Sequence, residues 1–155
     1  MRCFVVINPR SGTGLDHEDF PGKIREWFAA AGVEAVYASD EAADIGAQLE
    51  EARRSGIETV AVAGGDGTIM AGAEAFAGTD TVLAVVPAGT MNVLAHELGL
   101  PLTIPEAIGL LAEGEVRAID VGEGNGHIFI GSSVPVPYTP PTLPAIRRVY
   151  AQVVA

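Results

Sequence analysis

Short apolar runs alternate along the chain with segments in which apolar residues recur every three or four positions. The runs at residues 2–7, 33–38, 57–63 and 81–86 predict buried β-strands. Helical spacing between and after them predicts helices over about 19–31, from a cap at Asp40 to about Ser55, and over about 68–76, 92–98 and 105–113. This alternation predicts an α/β fold, a three-layer, doubly wound and mostly parallel sheet with helices on both faces.

The pattern changes towards the end of the chain. Two extended segments flank a Gly-Asn-Gly turn between about residues 115 and 133, which predicts a β-hairpin. Five prolines then fall between Pro135 and Pro144, and proline is excluded from central strands because it cannot donate to the ladder. We therefore expect one globular domain over 1–133 and a proline-rich connector or tail over 134–155.

Charge and composition exclude several classes of protein. A formal net charge of -11 repels phosphate polymers and anionic lipid surfaces, so we expect no nucleic-acid partner and at most transient membrane contact. The single cysteine, Cys3, excludes an intrachain disulfide and fits a reducing compartment. No apolar run is long enough to cross a bilayer. The expected location is the cytoplasm.

Polar and glycine-rich segments follow the predicted parallel strands. They read NPRSGTG, SDE, GGDGT and PAGTMN, and the carboxyl ends of such strands form the usual ligand site of an open α/β sheet. Glycines let backbone N–H groups approach an anion, and a helix N-terminus adds partial positive charge. Any one of these loops is equally compatible with a plain strand-to-helix connection. Together they predict a phosphate ligand.

Two common phosphate motifs are absent from these loops. The dinucleotide fingerprint G-x-G-x-x-G fails after Gly65-x-Gly67, Gly12-x-Gly14 and Gly122-x-Gly124, because Met70, His17 and His127 occupy the third glycine position. A Walker P-loop requires Gly-Lys-Ser/Thr, and the only lysine, Lys23, lies outside the glycine-rich loops. The loops therefore predict neither a standard dinucleotide site nor a P-loop kinase.

The order and spacing of NPRSG, GGDGT and PAGTMN resemble the catalytic domain of the diacylglycerol kinase and sphingosine kinase family. The later segment AIDVG resembles that family's Asp-x-Gly element, so the resemblance covers about residues 2–133. GGDGT alone also resembles NAD kinases and phosphofructokinases. The resemblance implies an ATP-binding domain of a lipid kinase, which transfers the γ-phosphoryl group of ATP to a lipid such as diacylglycerol with Mg²⁺ as the metal.

The resemblance also implies which residues bind ATP. They are the polar and glycine residues of the four loops: Asn8, Arg10, Ser11, Gly12, Ser39, Gly64, Gly65, Asp66, Gly67, Thr68, Thr90 and Asn92. The resemblance implies that Asp66 is the catalytic residue and a Mg²⁺ ligand, since a carboxylate facing phosphate needs a metal or a substrate hydroxyl between them. Taken alone, Arg10 is also compatible with a solvated loop residue, and Ser39 with a helix cap, which is the commoner role for such a serine.

Two departures from the family pattern bear on activity. Val93 stands where many relatives have Asp, and the family's general base lies in a second, β-sandwich domain that we expect to be absent here. We therefore expect the chain alone to have little kinase activity. An NAD-kinase-like phosphotransferase and a non-catalytic nucleotide-binding module are the alternatives.

The predicted hairpin also suggests how the chain associates. In the family this segment leads into the second domain, so its apolar residues should stay partly uncovered. We expect them to drive self-association into a homodimer. They are Ile119, Val121, Ile128, Phe129 and Ile130.

Overall fold

The computed structural model describes residues 1–12, 19–39, 42, 44–124, 127–129 and 145–153. Within them the strands are β1 (Arg2–Ile7), β2 (Glu34–Tyr37), β3 (Thr59–Gly64), β4 (Val82–Pro87), β5 (Glu115–Gly124), β6 (His127–Phe129) and β7 (Ala145–Val153). The helices are α1 (Phe20–Ala30), α2 (Ile45–Ser55), α3 (Asp66–Phe76), α4 (Val93–Glu97) and α5 (Ile104–Leu110). The strands form one sheet in the order β2-β1-β3-β4-β7-β5-β6.

The first four strands run parallel, and their register aligns the ends that carry the loops. Ile7 pairs with Ala63, and Gly64 pairs with Pro87, so β1, β3 and β4 end at nearly the same level. Parallel strands place their carboxyl ends at one edge of the sheet, where the connections to the following helices begin. The register therefore brings three of the four predicted loops to that edge.

The strands are buried because helices cover both faces of the sheet. Val60 and Val62 pack towards α2 and α3, while Ala61 and Ala63 pack towards α1 and α5. Adjacent residues of a strand point to opposite faces, so a strand between two helical layers has to be apolar throughout. The predicted α/β class, with a terminal hairpin of β5 and β6, is confirmed.

The start of α2 differs from the prediction. The helix begins at Ile45 with Asp44 as its N-cap, whose carboxylate accepts from the backbone N–H of Ala47 at 2.8 Å. Asp40, the predicted cap, lies outside the described residues. The apolar spacing identified the body of the helix, but three acids, Asp40, Glu41 and Asp44, precede it, and the periodicity alone does not select one of them.

The assignment of residues 134–155 to a connector is wrong for residues 145–153. They form β7, which pairs in parallel with β4 and antiparallel with β5 in the middle of the sheet. The prolines that excluded a strand end at Pro144, outside the described residues, and the segment AIRRVYAQV contains none. Val149 and Ala151 are buried, whereas Arg148 is exposed and Tyr150 is half-buried, as the strand period requires. The domain boundary at 133 stays a prediction.

Two of the five hairpin residues that we expected to stay partly uncovered are buried. Val121 is 2% exposed and Ile128 is 8% exposed, because both belong to the core cluster that includes α3, and Ile119 packs against it. The burial of Phe129 is not described, and Ile130 lies outside the described residues. The prediction that these residues form the surface for self-association is therefore wrong.

Apolar side chains are exposed on the opposite face of the same strands. Val116 and Ile146 are both largely exposed, and the pairing of β5 with β7 places them on one side of the sheet. Homodimer formation itself stays a prediction.

Among the described residues, no helix combines the length and the apolar character that a bilayer span needs.

Candidate functional site

Three loops meet at the carboxyl edge of the sheet: loop A (residues 8–12), loop B (64–68) and loop C (87–92). Loops B and C touch through glycines, since a Cβ built on Gly89 would lie 2.5 Å from the Cα of Gly65. Loops A and C are also adjacent, since a Cβ built on Gly12 would lie 3.1 Å from Oγ1 of Thr90. The three loops therefore form one continuous surface.

Side chains that we predicted to contact ATP tie loops A and B together. The Asn8 side chain donates to Oγ1 of Thr68 at 2.8 Å and accepts from the backbone N–H of Arg10 at 3.0 Å. The hydroxyl of Ser11 accepts from the backbone N–H of Gly65 at 3.2 Å. Ser11 and Thr68 are both buried, so these bonds are shielded from water. The bonds fix loop geometry, and direct contact with a nucleotide stays a prediction.

Loop C is held in shape by its own asparagine. Asn92 has φ 48° and ψ 46°, the left-handed region that asparagine tolerates better than most residues. Its side chain accepts from the N–H of Gly89 and donates to the carbonyl of Gly89, both at 2.9 Å. Asn92 therefore closes the turn that presents Thr90 and Met91 to solvent.

Asp66 links loop B to α4. Its Oδ1 accepts from the backbone N–H of Val93 at 2.6 Å. Val93 is the first residue of α4, and the Asn92 side chain does not cap that helix, so the carboxylate of Asp66 supplies the cap from a neighbouring element. Asp66 also begins α3, where the helix dipole favours a negative charge. One of the two carboxylate oxygens of Asp66 therefore has a structural role.

The open part of the site lies around Gly67. A Cβ built on Gly67 would meet no atom within 4 Å, and the residue is exposed. Among the described residues, no acceptor bonds to the backbone N–H of Asp66 or of Gly67, whereas the N–H groups of Thr68 and Ile69 bond to the carbonyl of Gly65. Two backbone donors at the start of α3 are therefore available to an anion.

Arg10 is the positively charged residue of loop A. It is exposed, and no carboxylate pairs with it in the part of the chain that the structure describes. Arg10 also lines a cavity of about 460 Å³ with Asn8, Asp44 and Gln48. A larger cavity of about 530 Å³ lies at the opposite, amino-terminal edge of the sheet. We place the site at loops A, B and C, because the free backbone N–H groups and the positively charged Arg10 are there.

Ser39 is not a helix cap. Its N–H and hydroxyl both donate to the carboxylate of Glu51 on α2, at 2.8 and 2.5 Å. The bond from the hydroxyl, followed by the bond from the N–H, lowers the pKa of Glu51. Ser39 lines a small cavity together with Pro9 and Gln48, which places it beside the start of loop A. Its contact with a nucleotide stays a prediction.

Sequence reasoning missed Gln48. Its Oε1 accepts from the N–H of Ile7 at 2.9 Å, and its Nε2 donates to the carbonyl of Ile7 at 3.1 Å. The pairing of β1 with β2 ends at Val5, so the amide of Gln48 replaces a strand partner at the residue before loop A. The available signal was a polar residue three positions after Ile45, on the apolar side of a predicted helix.

The site suits a metal that is shared with phosphate. Among the described residues, no group of three His, Cys, Asp or Glu side chains forms a cluster that could hold a metal by itself. Mg²⁺ keeps several waters and commonly binds one or two carboxylates together with substrate phosphates. Asp66 retains one carboxylate oxygen without a partner among the described residues, which fits such a shared site.

The chain resembles diacylglycerol kinases in both sequence and fold. The sequence profile of the diacylglycerol kinase catalytic domain matches residues 2–124. The diacylglycerol kinases of Staphylococcus aureus strains JH9 and COL are each 28% identical over 131 residues, which is 83% of this chain and 42% of theirs. A crystal structure of a diacylglycerol kinase from Bacillus anthracis superposes with a TM-score of 0.63 at 30% identity, over 83% of this chain and 45% of that one. The chain spans less than half the length of these relatives.

Proposed function

Since the chain belongs to the diacylglycerol kinase catalytic-domain family, we propose that it binds ATP at loops A, B and C and forms the nucleotide side of a lipid kinase. The reaction we propose transfers the γ-phosphoryl group to the hydroxyl of a lipid such as diacylglycerol. The observation that carries the proposal is the close packing of the three loops on one another, beside the exposed Gly67 and its free backbone donors.

The donors match a chain of phosphates better than a single carboxylate ligand. The N–H groups of Asp66 and Gly67 point from the first turn of α3, where the helix dipole adds partial positive charge. The guanidinium of Arg10 on the neighbouring loop forms paired, charge-assisted hydrogen bonds with phosphate oxygens. These groups bind and orient the triphosphate, which is the main contribution that a protein makes to phosphoryl transfer.

Mg²⁺ would be held between Asp66 and the phosphates, and it would neutralise charge that develops on the transferring group. Asp66 cannot contact phosphate directly, because like charges repel. In the transfer, the lipid hydroxyl oxygen bonds to the γ-phosphorus, the bond from that phosphorus to the β–γ bridging oxygen breaks, and ADP leaves. The proton of the hydroxyl has to pass to a base or to water.

Isothermal calorimetry tests the donor side. We expect Mg-ATP to bind weakly, and binding to weaken when EDTA removes Mg²⁺. Arg10→Ala should weaken ATP binding about tenfold or more, the usual effect of removing a charged hydrogen-bond partner. Arg117→Ala is the matched control, since Arg117 is an exposed arginine on β5 that pairs with Glu115. Equal losses in both variants would mean that general charge, and not loop A, attracts the nucleotide.

The acceptor is tested separately. Incubation with γ-labelled ATP and either diacylglycerol in mixed micelles or NAD distinguishes a lipid kinase from an NAD-kinase-like enzyme. Labelled lipid supports the proposal, whereas labelled NAD supports the alternative. ATP binding without transfer to either acceptor is the result expected if this chain supplies only the nucleotide side of the reaction, and it would equally fit a nucleotide-binding module. Loss of ATP binding would refute the proposal.

A further inference from the structure

The short helix α4 depends on loop B for its first turn. It has five residues, little more than one helical turn, and a helix of that length is not stable by itself. The side chain of Asn92, at the N-cap position, bonds to the backbone of Gly89 and leaves the helix uncapped. The carboxylate of Asp66 supplies the missing acceptor, at 2.6 Å from the N–H of Val93. A residue of loop B therefore holds the start of α4.

Other contacts of α4 are few. Only Leu94 and Ala95 of its five residues are buried. The helix lies between two residues in the left-handed region, Asn92 at φ 48° and Gly99 at φ 67°, so the backbone changes direction at both ends. Segments with few buried contacts open locally at a lower free energy than the core does. The bond to Asp66 is therefore a large part of what keeps α4 formed.

The same carboxylate is the metal ligand of the proposed function. One of its oxygens accepts from the N–H of Val93, and the other has no partner among the described residues. A hydrogen bond to one oxygen of a ligating carboxylate fixes the direction of the other, and loss of such an outer partner typically lowers metal affinity about 10–100-fold. The backbone N–H of Val93 therefore orients the oxygen that we assign to Mg²⁺.

We propose that binding of Mg-ATP and formation of α4 are coupled through the carboxylate of Asp66, with the backbone N–H of Val93 as the positioning group. The inference rests on the proposed function and adds a conformational response to it. Because such coupling is reciprocal, Mg-ATP stabilises the first turn of α4, and an intact α4 strengthens the binding of Mg-ATP. Met91 and Val93, which are 68% and 45% exposed, are then fixed in place when the nucleotide site is filled.

Amide hydrogen exchange measured by NMR on the full chain tests the coupling. The N–H of Val93 bonds to Asp66, and the N–H of His96 closes the first turn of α4 on the carbonyl of Asn92 at 3.0 Å. The matched control is the N–H of Ala107, which closes the first turn of α5 on its own N-cap carbonyl, also at 3.0 Å. We expect Mg-ATP to slow exchange at Val93 and His96 at least fivefold more than at Ala107.

The control amide removes the general effect of a ligand. Any ligand of the folded state slows exchange throughout the protein, so equal slowing in α4 and α5 would overturn the coupling. Faster exchange at Val93 with Mg-ATP would also overturn it, because the metal would then compete with α4 for the carboxylate. ATP with EDTA should leave the ratio of the α4 and α5 rates unchanged, and an equal change with and without Mg²⁺ would overturn the role of the metal.

Paired variants test the reverse direction. Ala95→Gly in α4 and Ala107→Gly in α5 each replace a buried helical alanine, 2% and 4% exposed. Ala95→Gly should lower the ratio of ATP affinities with and without Mg²⁺ by about two- to fivefold, the equivalent of the helix stability that glycine removes. Ala107→Gly should leave the ratio unchanged, and the melting temperatures check that both variants fold. A ratio that Ala95→Gly leaves unchanged, or that both variants lower equally, would overturn the coupling.

Calorimetry on the same sample separates this inference from the proposed function. Binding of Mg-ATP with no selective slowing in α4 rejects the coupling alone. Absence of Mg-ATP binding rejects the proposed nucleotide site, and the coupling fails with it.

Discussion

Gly67→Ala should make the protein more stable and at the same time a weaker binder of ATP. Gly67 is the second residue of α3, its φ is not in the left-handed region, and a Cβ built there meets no atom within 4 Å. Alanine at such a position restricts the unfolded chain and stabilises the fold by about 0.4–1 kcal/mol. For a domain of this size that is a rise in melting temperature of about 1–4 °C.

The effect on binding has the opposite sign. The space that the new methyl group fills is the space that phosphate oxygens need in order to reach the N–H groups of Asp66 and Gly67. Losing even one charge-assisted hydrogen bond corresponds to about a tenfold weaker ATP complex. A destabilising substitution also weakens binding, so the opposite signs distinguish a ligand contact from a folding defect.

Thermal unfolding without nucleotide and calorimetry with Mg-ATP measure the two quantities. Gly109→Ala is the matched control, since Gly109 is an exposed helical glycine of α5 whose added Cβ also meets nothing within 4 Å. It should raise the melting temperature similarly and leave ATP affinity unchanged. A Gly67→Ala protein that is more stable and binds ATP like the wild type would refute the assignment of phosphates to loop B.

Three further substitutions test the connections around the loops. Asp66→Asn retains an oxygen that accepts from the backbone N–H of Val93, so the melting temperature should change little, while calorimetry should show that ATP binding no longer depends on Mg²⁺. Asp66→Ala should in addition lower the free energy of unfolding in urea by about 0.5–2 kcal/mol. Gln48→Leu leaves the N–H and carbonyl of Ile7 without their partner, so it should lower the free energy of unfolding in urea by about 1–3 kcal/mol and weaken ATP binding. Gln48→Glu restores the acceptor for the N–H, so it should recover part of the stability and part of the ATP affinity. Ser39→Ala should raise the pKa of Glu51 towards its ordinary value, as measured by NMR titration. Because the pKa of Glu51 is lowered in the wild type, its bond to Ser39 stabilises the fold above the ordinary carboxyl pKa, and this stabilisation is lost as the pH falls through the lowered pKa.

Periodicity predicted the parallel half of the fold because both faces of its strands are buried. The run RCFVVI corresponds residue for residue to β1, and Phe20, Ile24 and Phe28 form the buried side of α1 as the spacing indicates. These patterns are local, since a buried strand is apolar throughout and a helix on its surface is apolar on one side. They identify elements without reference to the rest of the chain.

The position of β7 could not be predicted in the same way. A strand that follows β6 in sequence lies between β4 and β5 in space, and neither alternation nor turn chemistry encodes that order. Its insertion also explains the burial of Val121, because β5 then has β7 on one side and β6 on the other, with α3 across one face. The expectation of an uncovered hairpin failed because it considered the hairpin without this strand.

The position of the site could be predicted from the sequence, but the directions of its side chains could not. Parallel strands predict that loops A, B and C meet, and they do. The direction of each side chain depends on which buried group lacks a partner: Asn8 turns to Thr68, and Ser11 turns to the N–H of Gly65. A polar residue in a glycine-rich loop therefore indicates where the site is, but it does not indicate whether the side chain faces the ligand or the neighbouring loop.

The glycines of GGDGT and PAGTMN have two separate physical roles. Gly65 and Gly89 let loops B and C approach until no Cβ fits between them, so they are required before any ligand is present. A Cβ built on Gly67 meets no atom within 4 Å, so none of the described residues requires a glycine there. A helix loses about 0.5–1 kcal/mol by having glycine in place of alanine, and a phosphate that approaches the backbone would give a reason for the glycine. Gly67 therefore marks the surface that we expect the phosphates to occupy, and Gly65→Val would be a poor test of it, because that change would separate the loops as well.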